Sequence, residues 1–129
     1  MDPLYKNPRA LASAVNASLD KATRITAAAA FSVLMVHWAF IVAFVMPRLG
    51  ELQFLRLHYS AAQGIDWVDD WRAIFLFPAV GLAAFACNVA FAVLLARRDR
   101  ALGRLLMGAT VVVELLVAVG GVIAVLLNG

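Results

Sequence analysis

The sequence predicts an all-α integral membrane protein with three transmembrane helices, N-terminus in and C-terminus out. A short amphipathic interfacial helix is expected before the second span. Three observations predict this. Hydrophobic residues make up 64% of the 129 and charged residues 15%, where a soluble domain has roughly 45–50% and 25%. The apolar residues gather in three long runs that exclude nearly all charge. Basic residues crowd the segments that would lie on one side of the bilayer. Such a composition excludes a soluble globular enzyme, a disordered tail and a nucleic-acid-binding domain. A single cysteine, Cys87, excludes an intrachain disulfide and sits within an apolar run. We therefore read residues 1–129 as one membrane domain.

Residues 1–24 form the cytoplasmic N-terminal segment. Within it, Leu11, Val15 and Leu19 recur at i, i+4, i+8 between Pro8 and Lys21. That stripe suits a short helix on the inner surface, although a frayed tail has the same composition. The first span is 25–46, bounded by Arg24 and by Pro47-Arg48. It is long enough to cross about 30 Å of hydrocarbon at ~1.5 Å per residue. A cleaved signal sequence has a shorter apolar core and a small-residue site after it, so this run is expected to be retained. An outer loop follows at 47–73, then the second span at 74–96, which stops at Arg97-Arg98-Asp99-Arg100. The short loop 97–104 leads into the third span, 105–127. Lys6, Arg9, Lys21 and Arg24 mark the first segment as cytoplasmic, and Arg97, Arg98, Arg100 and Arg104 mark the short loop likewise. In the outer loop Arg48, Arg56 and Arg72 are diluted by Glu51, Asp66, Asp69 and Asp70. The arginines of 97–104 either set this topology alone or also attract anionic headgroups.

The outer loop is the most individual part of the chain. Gln53–Tyr59 alternates in part, with Phe54 and Leu55 breaking the pattern, which suits an extended segment on the membrane surface. Gly64 marks a turn. Asp66 is placed as an N-cap with Asp69 three residues on, an acidic variant of a capping box. Trp67 and Trp71 at i, i+4 would share a helical face that continues into Ile74 and Phe75. Their indoles would lie in the aromatic belt. His58, Asp66, Asp69 and Asp70 are metal-ligating types, but their spacing matches no compact ligand motif, so no metal is expected. The expected roles are capping for Asp66 and hydrogen bonding for His58.

Taken together, His58-Tyr59, Gly64-Ile65-Asp66, Trp71, Pro78, Gly81-Leu82 and Asn88 resemble a pattern in small bacterial membrane proteins of about three spans. The layout is also distantly similar to the N-terminal domain of peptide-toxin immunity proteins of the sporulation-delaying type. Here Leu-Arg-Leu without proline precedes His58, the His–Gly spacing is one residue longer, and the immunity proteins' extra spans are lacking. The resemblance implies a bacterial inner-membrane location. It also marks His58, Tyr59, Gly64, Asp66 and Trp71 as an outer-loop signature.

Each span carries one polar residue unsuited to lipid: His37, Asn88 and Glu114. At ~1.5 Å per residue they lie about 18, 10 and 14 Å from the inner ends of their runs, within about two helical turns of one another. His37 shares a side with Thr26, Ala30 and Phe44; Glu114 shares one with Gly103, Met107, Thr110 and Gly121. The second span has two small faces, Ala79-Ala83-Ala86-Ala90 and Gly81-Ala84-Asn88-Ala92, which would suit the middle position of a bundle. Pro78 lies near its outer end, where a kink costs little. Intramembrane His and Glu are either interhelical glue or a proton path. There is no internal repeat, P-loop, Gly-x-Ser-x-Gly, His-Glu-x-x-His or Cys-x-x-Cys. The expectation is therefore a non-enzymatic protein without a cofactor, whose partners are the lipid bilayer and other membrane helices and not nucleic acid. It would act through helix contacts as an accessory subunit or homo-oligomer. The alternatives are a proton-coupled transporter or channel subunit using His37 and Glu114, and peptide sensing or immunity through the outer loop.

Overall fold

The computed structural model describes residues 19–96 and 98–129. The expected surface helix at Pro8–Lys21 lies almost wholly outside the described residues. Three helices dominate: α1 (Lys21–Val45), α2 (Leu76–Ala96) and α3 (Arg100–Leu126). With the 3-10 turns Met46–Arg48 and Trp71–Phe75 that extend α1 and precede α2, all three are long and apolar enough to cross a membrane. Between α1 and α2 lie two strands, β1 (Phe54–Ser60) and β2 (Gly64–Asp70), paired antiparallel.

Local chemistry fixes the helix ends. Asp20 caps α1, accepting from the Thr23 N–H at 2.9 Å and the Thr23 hydroxyl at 2.6 Å. Asp99 caps α3, accepting from the Ala101 N–H at 2.7 Å. At the other end of α1, Arg48 donates to the Phe44 carbonyl at 2.9 Å while its guanidinium lies 4.4 Å from the Phe44 ring centre. Arg104 of α3 reaches across to Asp20 as an ion pair, tying the starts of α1 and α3 together.

The Thr23 hydroxyl, the Thr23 N–H and the Arg104 guanidinium all favour the ionised Asp20, holding its carboxyl well below the usual carboxylate range. A carboxyl lowered on folding stabilises the fold above its unfolded value, ~3.9, and that contribution is lost as pH falls below it. The helix ends at Asp20 and Arg104 are therefore expected to loosen on acidification below about pH 4. Asp20→Asn should flatten that part of the unfolding-versus-pH curve in detergent.

The buried positions of the three helices share one spacing. On α1 they include Ala30, Leu34, His37, Ile41 and Phe44; on α3 they include Gly103, Met107, Thr110, Glu114, Gly121 and Ala124. On α2, Pro78, Gly81 and Ala92 are buried, with Phe85 and Asn88 half-buried between them. Alternating steps of three and four keep one stripe of each helix facing inward. The inward faces read for α1 and α3 are those the structure buries, apart from the half-buried Thr26. The middle position falls to a different helix. α3 packs along both neighbours, whereas α1 and α2 touch more briefly. α2 turns only its Gly81-Ala84-Asn88-Ala92 side inward, and Ala79, Ala83, Ala86 and Ala90 are exposed. Glycines explain the exchange: Gly103, Gly120 and Gly121 let α3 approach Ala96, Phe77 and His37 on two sides.

The chain is not all-α, because the loop expected at 47–73 folds as a β-hairpin. Leu55 and Leu57 are buried while Phe54, Arg56 and His58 are exposed, a period-two pattern. The two leucines join Ile41, Phe44, Val45, Ile74, Ala124 and Val125 in a core that plugs one end of the bundle. Gly64, at φ +74°, closes the turn in the left-handed region that favours glycine, and Ser60 Oγ accepts from the Gln63 N–H at 3.2 Å. The expected interfacial helix is shortened to the 3-10 turn Trp71–Phe75, and Asp70 rather than Asp66 caps it, accepting from the Arg72 N–H at 3.0 Å.

Candidate functional site

The signature residues of the 47–73 loop and the polar residues of the three helices occupy two separate places. His58, Tyr59, Gly64 and Asp66 belong to the hairpin. His58 Nδ1 lies 2.6 Å from Asp66 Oδ1 across the two strands. The carboxylate accepts, so this nitrogen carries the proton. Register shifts on either side of His58 bring Trp67, and not Asp66, opposite it in the ladder. The irregularity frees the Asp66 side chain from a capping role for this cross-strand bond. Tyr59 pairs with Ile65 and Ser60 with Gly64, so the spacing of the signature is that of a tight hairpin end.

The two tryptophans do not share a helical face. Trp67 stands on β2 with its ring 6.3 Å from Phe77, whereas Trp71 opens the 3-10 turn with its ring 6.4 Å from Phe75. Phe75 also meets Trp38 at 6.0 Å, which makes Trp38 a packing residue. No group of three or more His, Cys, Asp or Glu is close enough to hold a metal among the described residues.

One residue that sequence reasoning passed over joins the hairpin to the bundle. Asn128, just past α3, accepts from the Arg56 N–H at 2.9 Å and donates to the Arg56 carbonyl at 2.7 Å. It also donates to the Ala124 carbonyl at 2.7 Å. The amide thus pairs with β1 as a neighbouring strand would and closes the last turn of α3. A polar amide directly after a long apolar run was the available signal. Asn128→Ala is expected to cost about 1 kcal/mol. Hydrogen exchange should read it as a roughly fivefold faster rate at the Arg56 amide, with the α1 amides unchanged.

Within the bundle the three polar residues are brought to one level range but not to one another. Asn88 donates to the Thr110 hydroxyl at 3.0 Å, and Thr110 in turn donates to the Leu106 carbonyl at 2.8 Å. Glu114 is fully buried and fits against Gly81, where an added Cβ would meet Oε2 at 2.6 Å and Leu34 at 3.3 Å. His37 is 3% exposed, and its Nε2 fills the space that a side chain at Gly121 would need. Both ring nitrogens of His37 and both carboxyl oxygens of Glu114 lack hydrogen-bond partners among the described residues. Bulky polar side chains on two helices thus seat in glycine notches of their neighbours.

These features define a class: a helical protein with three membrane-length apolar helices, capped at one end by a β-hairpin. Compared with known proteins, the chain matches no family model, no curated protein and no solved structure.

Proposed function

We propose that this chain is a non-enzymatic subunit of the bacterial inner membrane that works through helix contacts, as an accessory subunit or a homo-oligomer. It enters the bilayer N-in and C-out, with the hairpin outside and residues 97–104 inside, as the basic residues direct. The observation that carries the reading is the outward face of α2. Ala79, Ala83, Ala86 and Ala90 are all exposed and fall on one side of the helix. Small residues at this spacing let a second backbone approach closely, which drives association where lipid removes the hydrophobic incentive. The polar groups that chemistry would recruit are instead committed to packing inside the bundle.

Affinity purification of a tagged chain in mild detergent at native expression, read by mass spectrometry and particle mass, tests this. The expected particle contains a second polypeptide, either another membrane protein or a further copy. Ala83→Leu with Ala86→Leu should release the monomer at unchanged helix content. A monomer in the wild type would overturn the reading.

A second reading, a proton-coupled transporter or channel subunit, draws support from the four unpartnered atoms of His37 and Glu114. It requires Glu114→Gln to abolish proton flux in vesicles while assembly survives.

A further inference from the structure

The two edges of the hairpin differ. Along the outer edge of β1, Asn128 takes both backbone groups of Arg56. The register sets Val68 opposite Arg56. In an antiparallel pair, opposed residues turn their backbone groups either toward each other or away from each other. Val68 therefore directs its N–H and C=O out from the far edge of β2, where no third strand joins among the described residues. Val68 is 57% exposed, so nothing else in the fold covers this place. The edge closes again just beyond it, because the Asp70 N–H donates to Asp69 Oδ1 at 2.8 Å. Unpaired backbone groups on a strand edge are a template for a further strand.

We propose that this edge pairs with an extended segment of a partner protein, one that carries a basic residue two positions to either side of the residue facing Val68. Side chains select that chemistry. Asp66, Val68 and Asp70 stand on one face of β2 at period two, and β2 has no basic residue of its own. Asp66 meets His58 through Oδ1 and Asp70 meets Arg72 through Oδ1, so each keeps a second carboxylate oxygen for an incoming cation. A second copy of β2 is the wrong occupant. Antiparallel pairing about Val68 would set Asp66 opposite Asp70 on both sides of the centre, and like charges directly opposed are destabilising. Lysine or arginine at those two places turns the same repulsion into attraction, while the backbone bonds at Val68 hold the segment extended. The edge is separate from the outward α2 face, so this inference and the assembly reading stand or fall independently.

The test uses the whole chain in phosphatidylcholine nanodiscs, whose neutral lipid does not itself collect a cationic peptide. The probe is the blocked heptapeptide Thr-Lys-Thr-Val-Thr-Lys-Thr, titrated to saturation, and the readout is amide exchange and chemical shift by NMR. The Val68 amide should exchange fast in the free protein and about tenfold more slowly with the peptide bound, with the Arg56 amide unchanged. The same peptide with glutamate for lysine should have no effect. Val68→Pro removes the outward N–H at an edge position that tolerates proline, so the hairpin shifts should persist while binding weakens at least tenfold. Asp66→Asn with Asp70→Asn should weaken binding severalfold and remove its salt dependence. No slowing at Val68, or Val68→Pro binding as tightly as the wild type, would overturn the pairing. Equal binding of the glutamate peptide would overturn the choice of a basic segment. Slow Val68 exchange that deepens with protein concentration in the absence of peptide would give the edge to a second copy and overturn the choice of partner.

Discussion

Gly121→Val is expected to loosen the contact between α1 and α3, destabilising the bundle by about 1–3 kcal/mol. A side chain at this position occupies the space of the His37 ring, whose nitrogen and neighbouring carbons are the nearest atoms. The His37 ring is almost fully buried, so a side chain at Gly121 must either displace it from its seat or push the helices apart. Reversible unfolding of the chain in mixed micelles, titrated with SDS, measures the effect. His37→Ala should recover much of the loss when combined with Gly121→Val, and the coupling between the two sites should reach about 0.5–3 kcal/mol. Additive losses would mean that the ring and the glycine do not share one space.

Leu57→Ala has the larger effect on the hairpin, about 2–5 kcal/mol. The Leu57 side chain is 2% exposed and, with Leu55, fills the end of the bundle against Ile41, Phe44, Ile74 and Ala124. An isolated two-stranded hairpin is marginal in water, so this one depends on its buried face. The expected result is local: amides of β1 and β2 exchange faster and a protease cuts near Ala61–Gln63, while α2 and most of α3 stay protected. An equal substitution at Phe54, 71% exposed on the same strand, should change neither.

The sequence displays the three membrane-length helices and the inward faces of the first and third because long apolar runs and three–four spacing are strong signals. Ala30, Phe44, Gly103, Met107, Thr110 and Gly121 were legible in that way. The hairpin was not, for a physical reason. Phe54 and Leu55 break the alternation at the start of β1, and register shifts around His58 break it again in the middle. Trp67 and Trp71, four apart, then imitate a helical face. The central role of α3 was hidden because two small faces on α2 look like two contacts, whereas only one of them is used inside the chain. The clasp of Asn128 on Arg56 joins residues 72 apart, so the position of Asn128 could draw notice but its partner could not be read, and the His58–Asp66 bond exists only in the hairpin's register.

The measurement that tests the central claim most directly is a photo-cross-linking scan along α2 in intact membranes, with a cross-linking residue placed at each position from 79 to 92. The account predicts products to another polypeptide at Ala79, Ala83, Ala86 and Ala90, and none at Gly81, Asn88 or Ala92, which face α3. Cross-links to lipid alone at the four alanines, or products without this periodicity, would contradict it.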